Sequence, residues 1–196
     1  MNAAPAYPHE TPPAGNSAVL AADFRALVPV LETPRLILRA PRIEDFEAYR
    51  EILMSDRAIH MDGPFTRIDA WLDFTQCVAN WVLRGHGLWT IEERNSGAAL
   101  GFTLICMEFG DQDPELGWFL SVSAEGKGYA FEAAKAARDH GIKTLKLDSL
   151  VSYIDPPNAR SVKLAEKLGA TRDDKAADAF DVPILVYRHW PKLVAS

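Results

Sequence analysis

Cysteine, basic charge and long apolar runs are all scarce in this chain, and each scarcity removes a class of function. Among 196 residues the only cysteines are Cys77 and Cys106, each inside an apolar pattern, so they read as free thiols in a reducing, cytoplasmic compartment rather than as a disulfide framework. The histidines, His9, His60, His86, His140 and His189, have no ligand spacing, and no metal is expected. Net charge is -6, whereas nucleic acid and anionic membrane call for a basic surface; neither is an expected partner, and a cationic substrate suits the balance better. No apolar run is long enough to span a bilayer, and the first residues lack the basic start and apolar core of a secretory signal.

Apolar residues as such are plentiful, at 48% of the chain, enough for one domain with a full core. Residues 1–32 read as a flexible arm, with eight alanines and five prolines in the first thirty positions. Val19, Leu20, Phe24, Leu27 and Val28 can share one face of a short helix there, which would dock on the domain or on a second subunit of a homodimer.

The domain, residues 33–196, opens at Thr33-Pro34 with a strand whose Leu36, Leu38 and Ala40 alternate with Arg35, Ile37 and Arg39. A helical period follows through Ile43, Phe46, Tyr49, Ile52 and Leu53, then a loop from Ser55 to Phe65. Thr66 and Asp69 form a variant capping box for a helix that stops at Gly85, with Ile68, Trp71, Leu72, Val78, Trp81 and Val82 as its expected apolar face. Strands at Leu88–Glu92, Ala99–Phe109 and Glu115–Val122 are joined by turn chemistry and predict an antiparallel meander, in which Asp111 and Asp113 are turn formers. A helix from Tyr129 to His140, a strand from Asp148 to Ile154, a helix from Asn158 to Gly169 and a strand from Pro183 to His189 complete the order. The strand-helix-strand unit implies a right-handed crossover between parallel strands, hence a mixed α/β sheet.

The segment Glu125-Gly126-Lys127-Gly128-Tyr129-Ala130 joins the third meander strand to the next helix. Two glycines permit a sharp turn and leave amide N–H groups free at the positive end of a helix dipole, where a phosphate can be held by backbone. A Walker loop would need Ser or Thr where Gly128 stands. A dinucleotide fingerprint would need a small residue in place of Phe131, although Asp148 lies at a ribose-binding distance downstream and keeps that alternative open.

With Gly128 and Ala130 at its small positions, the loop resembles the pyrophosphate loop of the GNAT acetyltransferases, and three further stretches agree with it in order. Thr33-Pro34-Arg35-Leu36-Ile37-Leu38-Arg39, Glu115-Leu116-Gly117-Trp118-Phe119-Leu120, and Asn158-Ala159-Arg160-Ser161 with Ala165-Glu166-Lys167-Leu168-Gly169 resemble the opening strand, fourth strand and late helix of the branch that acetylates ribosomal-protein N-termini. The resemblance covers about Thr33 to Trp190. It implies the GNAT fold, a mostly antiparallel sheet flanked by helices with one parallel pair at the acetyl-CoA site. It implies direct attack of a primary amine on acetyl-CoA in a ternary complex, the acceptor being a protein or peptide N-terminal α-amine, with a small amine or a non-catalytic CoA sensor as alternatives. Glu115 becomes the candidate base, with Glu108 in reserve, and Ser161 the acid for the thiolate. Phe119, Leu120 and Ser121 would supply amides to the acetyl carbonyl. Gly126, Lys127, Gly128, Tyr129 and Ala130 would hold the pyrophosphate, and Asn158 another part of the cofactor. Two residues depart from the pattern. Glu125 stands where the family has Gln or Arg, which predicts repulsion of the pyrophosphate unless the carboxylate points to solvent, and Ala170 replaces an aromatic.

Overall fold

Leu36 and Leu38 are fully buried while Arg39 pairs with Asp45 and Glu92, the two-faced pattern expected of a strand beside the core. The computed structural model describes residues 7–190. Eight strands form one sheet: β1 (Leu31–Glu32), β2 (Leu36–Arg39), β3 (Leu88–Glu93), β4 (Ala99–Cys106), β5 (Glu115–Leu120), β6 (Leu150–Ile154), β7 (Thr171–Arg172) and β8 (Leu185–Trp190). Their order is β1-β2-β3-β4-β5-β6-β8-β7, and only β5 and β6 are parallel. The mixed, mostly antiparallel sheet read from the sequence is therefore present, and β4 ends at Cys106 rather than Phe109.

The helices cover both faces. In chain order they are α1 (Gly15–Ala26), α2 (Phe46–Leu53), α3 (Arg67–Arg84), α4 (Tyr129–His140), α5 (Ala159–Lys167) and the short α6 (Asp174–Ala177). Ala133, Ala134 and Ala137 let α4 lie close on Leu36, Leu38, Ile91, Ile105 and Leu116. On the other face α2 and α3 bring Phe46, Tyr49, Ile52 and Phe74 onto Leu88, Phe102 and Leu104. Each such Leu or Phe contributes about 1.5–3 kcal/mol on burial. Among the described residues no helix is long and apolar enough to cross a membrane.

Thr66 caps α3 as expected, its hydroxyl accepting from Asp69 N–H at 3.2 Å, and Gly85 ends the helix in the left-handed region at φ 75°. Half of the expected apolar face packs on the core, through Trp71, Val78 and Trp81, and half is corrected: Ile68, Leu72 and Val82 are 71%, 58% and 77% exposed, and the buried positions are Ala70, Phe74, Cys77 and Asn80. Large side chains suggested one stripe, whereas contact with the sheet selects the small Ala70 and Cys77, which allow close approach. Before Thr33, Glu10 pairs with Arg67, the His9 ring meets Trp71 at 4.8 Å, and Trp89 donates to Pro29 O at 2.8 Å. Along α1 the residues Val19, Leu20 and Phe24 are exposed.

Candidate active site

β5 and β6 begin as a ladder and then part. Their register has the single pair Glu115 with Val151, fixed by Val151 N–H to Pro114 O at 3.0 Å. Beyond it, Leu116 O accepts the Ser152 hydroxyl at 2.6 Å, and Leu120 O accepts Arg57 Nε at 3.1 Å. Main-chain groups alternate along a strand, so Leu116, Trp118 and Leu120 face the widening gap. Phe119 and Ser121 face β4, where Ser121 N–H donates to Leu100 O at 2.9 Å. Of the three residues read from the sequence as amide donors, only Leu120 faces the gap, and Trp118 joins it.

The gap opens toward the glycine loop. Gly126 and Gly128 have φ of 71° and 81°, a region that costs any residue with a Cβ about 1–3 kcal/mol. A Cβ at Gly126 would meet nothing within 4 Å, so the space in front of the loop is open. Gly128 is the N-cap of α4 and offers no side chain to cap it, which leaves first-turn amides at the positive end of a twelve-residue helix. Tyr129 turns inward, its hydroxyl donating to Glu93 at 2.7 Å and its ring lying under Arg35. Arg35 also donates to Lys127 O at 2.9 Å and pairs with Glu132, which accepts the Thr33 hydroxyl at 2.6 Å. The opening strand thus pins the start of the helix that carries the loop.

Glu125 does not stand alone beside the phosphate site. Its carboxylate accepts from Arg57 and pairs with Arg160 Nη2 at 2.6 Å, contacts that hold the carboxyl below its usual range. Arg57 lies in the short 3-10 helix Asp56–His60, whose other end carries His60, 2.5 Å from Asp155 at the end of β6. The loop from Ser55 to Phe65 is therefore fastened to both lips of the gap.

At the closed end of the gap, Glu115 shares its surroundings with carboxyls from three other places in the chain. Burial, then the charges of Asp111 and Glu108, push Glu115 up to about 8, against which the Tyr153 main chain donates a hydrogen bond. Glu108 is raised to about 7 by burial and by Asp73 and Asp111. Asp111 accepts from Glu108 N–H at 2.6 Å, in keeping with its expected turn role, and the Tyr153 hydroxyl holds the same turn through Gln112 and Asp113 N–H at 3.2 and 3.0 Å. Asp73, Cys77 and Glu108 bring potential ligand atoms within 4.8 Å of one another; contact with Cys106 and then burial raise the Cys77 thiol, and burial raises the Glu108 carboxyl.

Residues 35–171 match the family described as the acetyltransferase (GNAT) domain. The chain belongs to the GNAT acetyltransferases. A crystal structure of an acetyltransferase from Agrobacterium tumefaciens (strain C58) is similar at 38% identity and TM-score 0.75, covering 82% of this chain and 94% of that one. YnaD, an uncharacterised N-acetyltransferase of Bacillus subtilis (strain 168), is 26% identical over 149 residues, 73% of this chain and 83% of its own. A spermidine N-acetyltransferase of Vibrio cholerae, solved in complex with CoA and spermine, shares the fold at 16% identity and TM-score 0.62, covering 80% of this chain and 94% of that one.

GNAT enzymes use acetyl-CoA, and this chain's residues fit it: uncapped first-turn amides, open space before Gly126, and a gap between β5 and β6 lined by main-chain groups. Asn158 caps α5, its Oδ1 accepting from Ser161 N–H at 3.1 Å, while its amide nitrogen has no partner among the described residues. Capping and cofactor binding are thus compatible. The Ser161 hydroxyl is likewise unpartnered among the described residues and half-buried, in the first turn after β6. From Val151, opposite Glu115, to Ile154 the strand rises about 10 Å, so Glu115 and Ser161 approach the gap from opposite ends. Ala170 is buried in a small cluster with Ile154, Ala165 and Tyr187, against which Trp118 packs, so an aromatic from β5 occupies the neighbourhood of the missing one. Arg57 and Arg160 were not singled out from the sequence; an acid in a loop suited to anions, with arginines elsewhere, is the signal that points to them.

Proposed function

We propose that this GNAT acetyltransferase transfers the acetyl group to the α-amine of a protein or peptide N-terminus, with Glu115 as general base and Ser161 as general acid. Acetyl-CoA supplies the thioester whose carbonyl the amine attacks directly, with no acyl-enzyme. The observation that carries this reading is the Glu115 carboxyl at the closed end of the gap, held up to about 8 by burial and by Asp111 and Glu108. A general base works best when its own pKa lies near the working pH, and the raised Glu115 carboxyl suits that role. An α-ammonium, at about 7.7–8.0, asks less of such a base than a lysine at roughly 10.4. Trp118 and Leu120, whose main chains face the gap, are the amides placed to receive the acetyl oxygen. The free hydroxyl of Ser161 is available to protonate the departing sulfur.

A small polycationic amine is a second reading, favoured by the grouping of Asp73, Glu108 and Asp111 behind Glu115. Mass spectrometry of a panel incubated with acetyl-CoA separates the two. Peptides with free N-termini should be modified at the α-amine ahead of N-blocked lysine peptides and polyamines; preference for the polyamine would transfer the acceptor to the second class.

A further inference from the structure

Parallel ladders are evenly spaced, so the next bond that β6 would donate after Val151 N–H to Pro114 O runs from Tyr153 N–H to Leu116 O. The register instead ends at Val151. Ser152 places its hydroxyl on Leu116 O at 2.6 Å, and the Tyr153 main chain serves the Glu115 carboxylate. Two side chains have taken the two ladder groups, and the strands part at that step.

Ser152 is itself held from the far side. Its oxygen lies 3.0 Å from Nε2 of His189, and because the hydroxyl proton is committed to Leu116, that nitrogen is the donor. Burial keeps the His189 ring neutral, so Nδ1 is an acceptor, and it is buried without a partner among the described residues. An orphaned nitrogen is costly and signals a ring placed by other demands. The sheet supplies one: Leu150 pairs with Trp190 but Val151 pairs with Arg188, so His189 is the extra residue of a β-bulge. Bulges re-aim a side chain, and this one turns His189 onto Ser152.

We propose that Ser152 and His189 are positioning residues that fix where β5 and β6 separate, holding the acetyl donor's gap open and the Tyr153 N–H on Glu115. Without the Ser152 hydroxyl, Tyr153 N–H returns to Leu116 O and the ladder closes by one step. The gap shortens, and Glu115 loses the hydrogen bond that favours its ionised form while still facing Glu108, Asp111 and Asp73; Arg138 is the charge felt by His189. The pH part of this inference rests on the base role given to Glu115, whereas the strand geometry does not.

The test uses the full chain with Ser152→Ala, Ser152→Thr, His189→Leu and His189→Gln. Amide exchange of Tyr153 in the ligand-free protein, read by NMR, should slow in Ser152→Ala and lose its dependence on the ionisation of Glu115, because the amide then sits in a main-chain ladder and no longer on a titrating side chain. The stabilisation by CoA in thermal melts should shrink, and the kcat/KM pH midpoint should rise by about half a unit or more. Thr keeps the hydroxyl and should restore all three; His189→Leu should follow Ser152→Ala, and His189→Gln, which retains a donor, should stay near wild type. Unchanged Tyr153 exchange and CoA stabilisation in a folded Ser152→Ala protein would overturn the proposal, and if that variant does not fold, the same result in His189→Leu would do so. Should Glu115→Gln prove fully active, the base role falls while the exchange measurement still decides the strand geometry.

Discussion

The two ends of the β5–β6 gap are built on opposite principles. At the glycine loop, recognition rests on backbone: Gly126 and Gly128 in left-handed conformations, an uncapped α4, and side chains such as Arg35 and Glu132 that work from behind. At the closed end, chemistry rests on side chains from distant segments, with Asp73 on α3, Glu108 and Asp111 after β4 and Glu115 at the head of β5. The first end is mostly exposed, where charge effects are screened; at the second, half-buried carboxyls raise one another. A cofactor common to a whole family can be held by geometry alone, whereas the proton transfer needs tuned acids.

The sharpest break between the two ends is Glu115→Gln. Loss of a general base costs about 10²–10⁴-fold in rate, while the glycine loop is untouched, so kcat should fall on that scale with acetyl-CoA affinity nearly unchanged. Wild-type kcat/KM should rise as pH passes through about 8, since the base acts only when ionised. The variant should keep only the rise from the amine and recover part of its activity at high pH. Full activity at pH 7 would pass the role to Glu108 or solvent.

Gly128→Val should do the reverse. A branched side chain at φ 81° costs about 1–3 kcal/mol of strain and presses on Arg35, 3.5 Å from where its Cβ would stand, which braces the loop through Lys127 O, so CoA should no longer raise the melting temperature, although Glu115 keeps its surroundings. An undiminished CoA shift in a folded variant would remove the loop from the account.

How much of this was legible follows the same divide. Gly126, Gly128 and the Thr66 cap could be read because a local motif sets their conformation, and the order of strands and helices because periodicity does. The α3 face could not, since Ala70 and Cys77 carry little hydrophobic signal by size but sit where the sheet comes close. Glu115 was legible only through resemblance, and its elevated proton affinity not at all, because Asp73, Glu108 and Asp111 meet it through tertiary packing.

Stability against pH sharpens the comparison from the acidic end. Glu108 and Glu115 are held to about 7 and about 8, above an unfolded value of about 4.5, so the native state binds more protons between pH 4.5 and 8. These two groups therefore contribute a stability that falls as pH rises through that window, against the opposite contribution of the buried His86, His140 and His189 below about 6.5. Glu108→Gln removes part of the slope and should stabilise the protein at pH 8 relative to pH 4.5 by on the order of 1 to 3 kcal/mol, measured by urea unfolding at both pH values. A wild-type slope in the variant would mean that Glu108 is ionised in the native state.

The smallest effect expected is at Glu125, where its guanidinium partners turn an apparent repulsion into a fastening. Arg57 and Arg160 together carry more charge than the carboxylate between them, so the group is already attractive to a phosphate, and removing the acid gains little in a screened setting. What Glu125→Gln does remove is the tie between the glycine loop, the Asp56–His60 helix and the start of α5. Disorder introduced into a loop must be reversed on binding, so acetyl-CoA should bind two- to tenfold more weakly, roughly 0.4 to 1.4 kcal/mol, at low and high salt alike. Calorimetric titration at two ionic strengths decides the matter. Tighter binding that fades as salt is added would turn the carboxylate back toward the pyrophosphate, as the sequence alone suggested, and make Arg57 and Arg160 its compensation rather than its anchor.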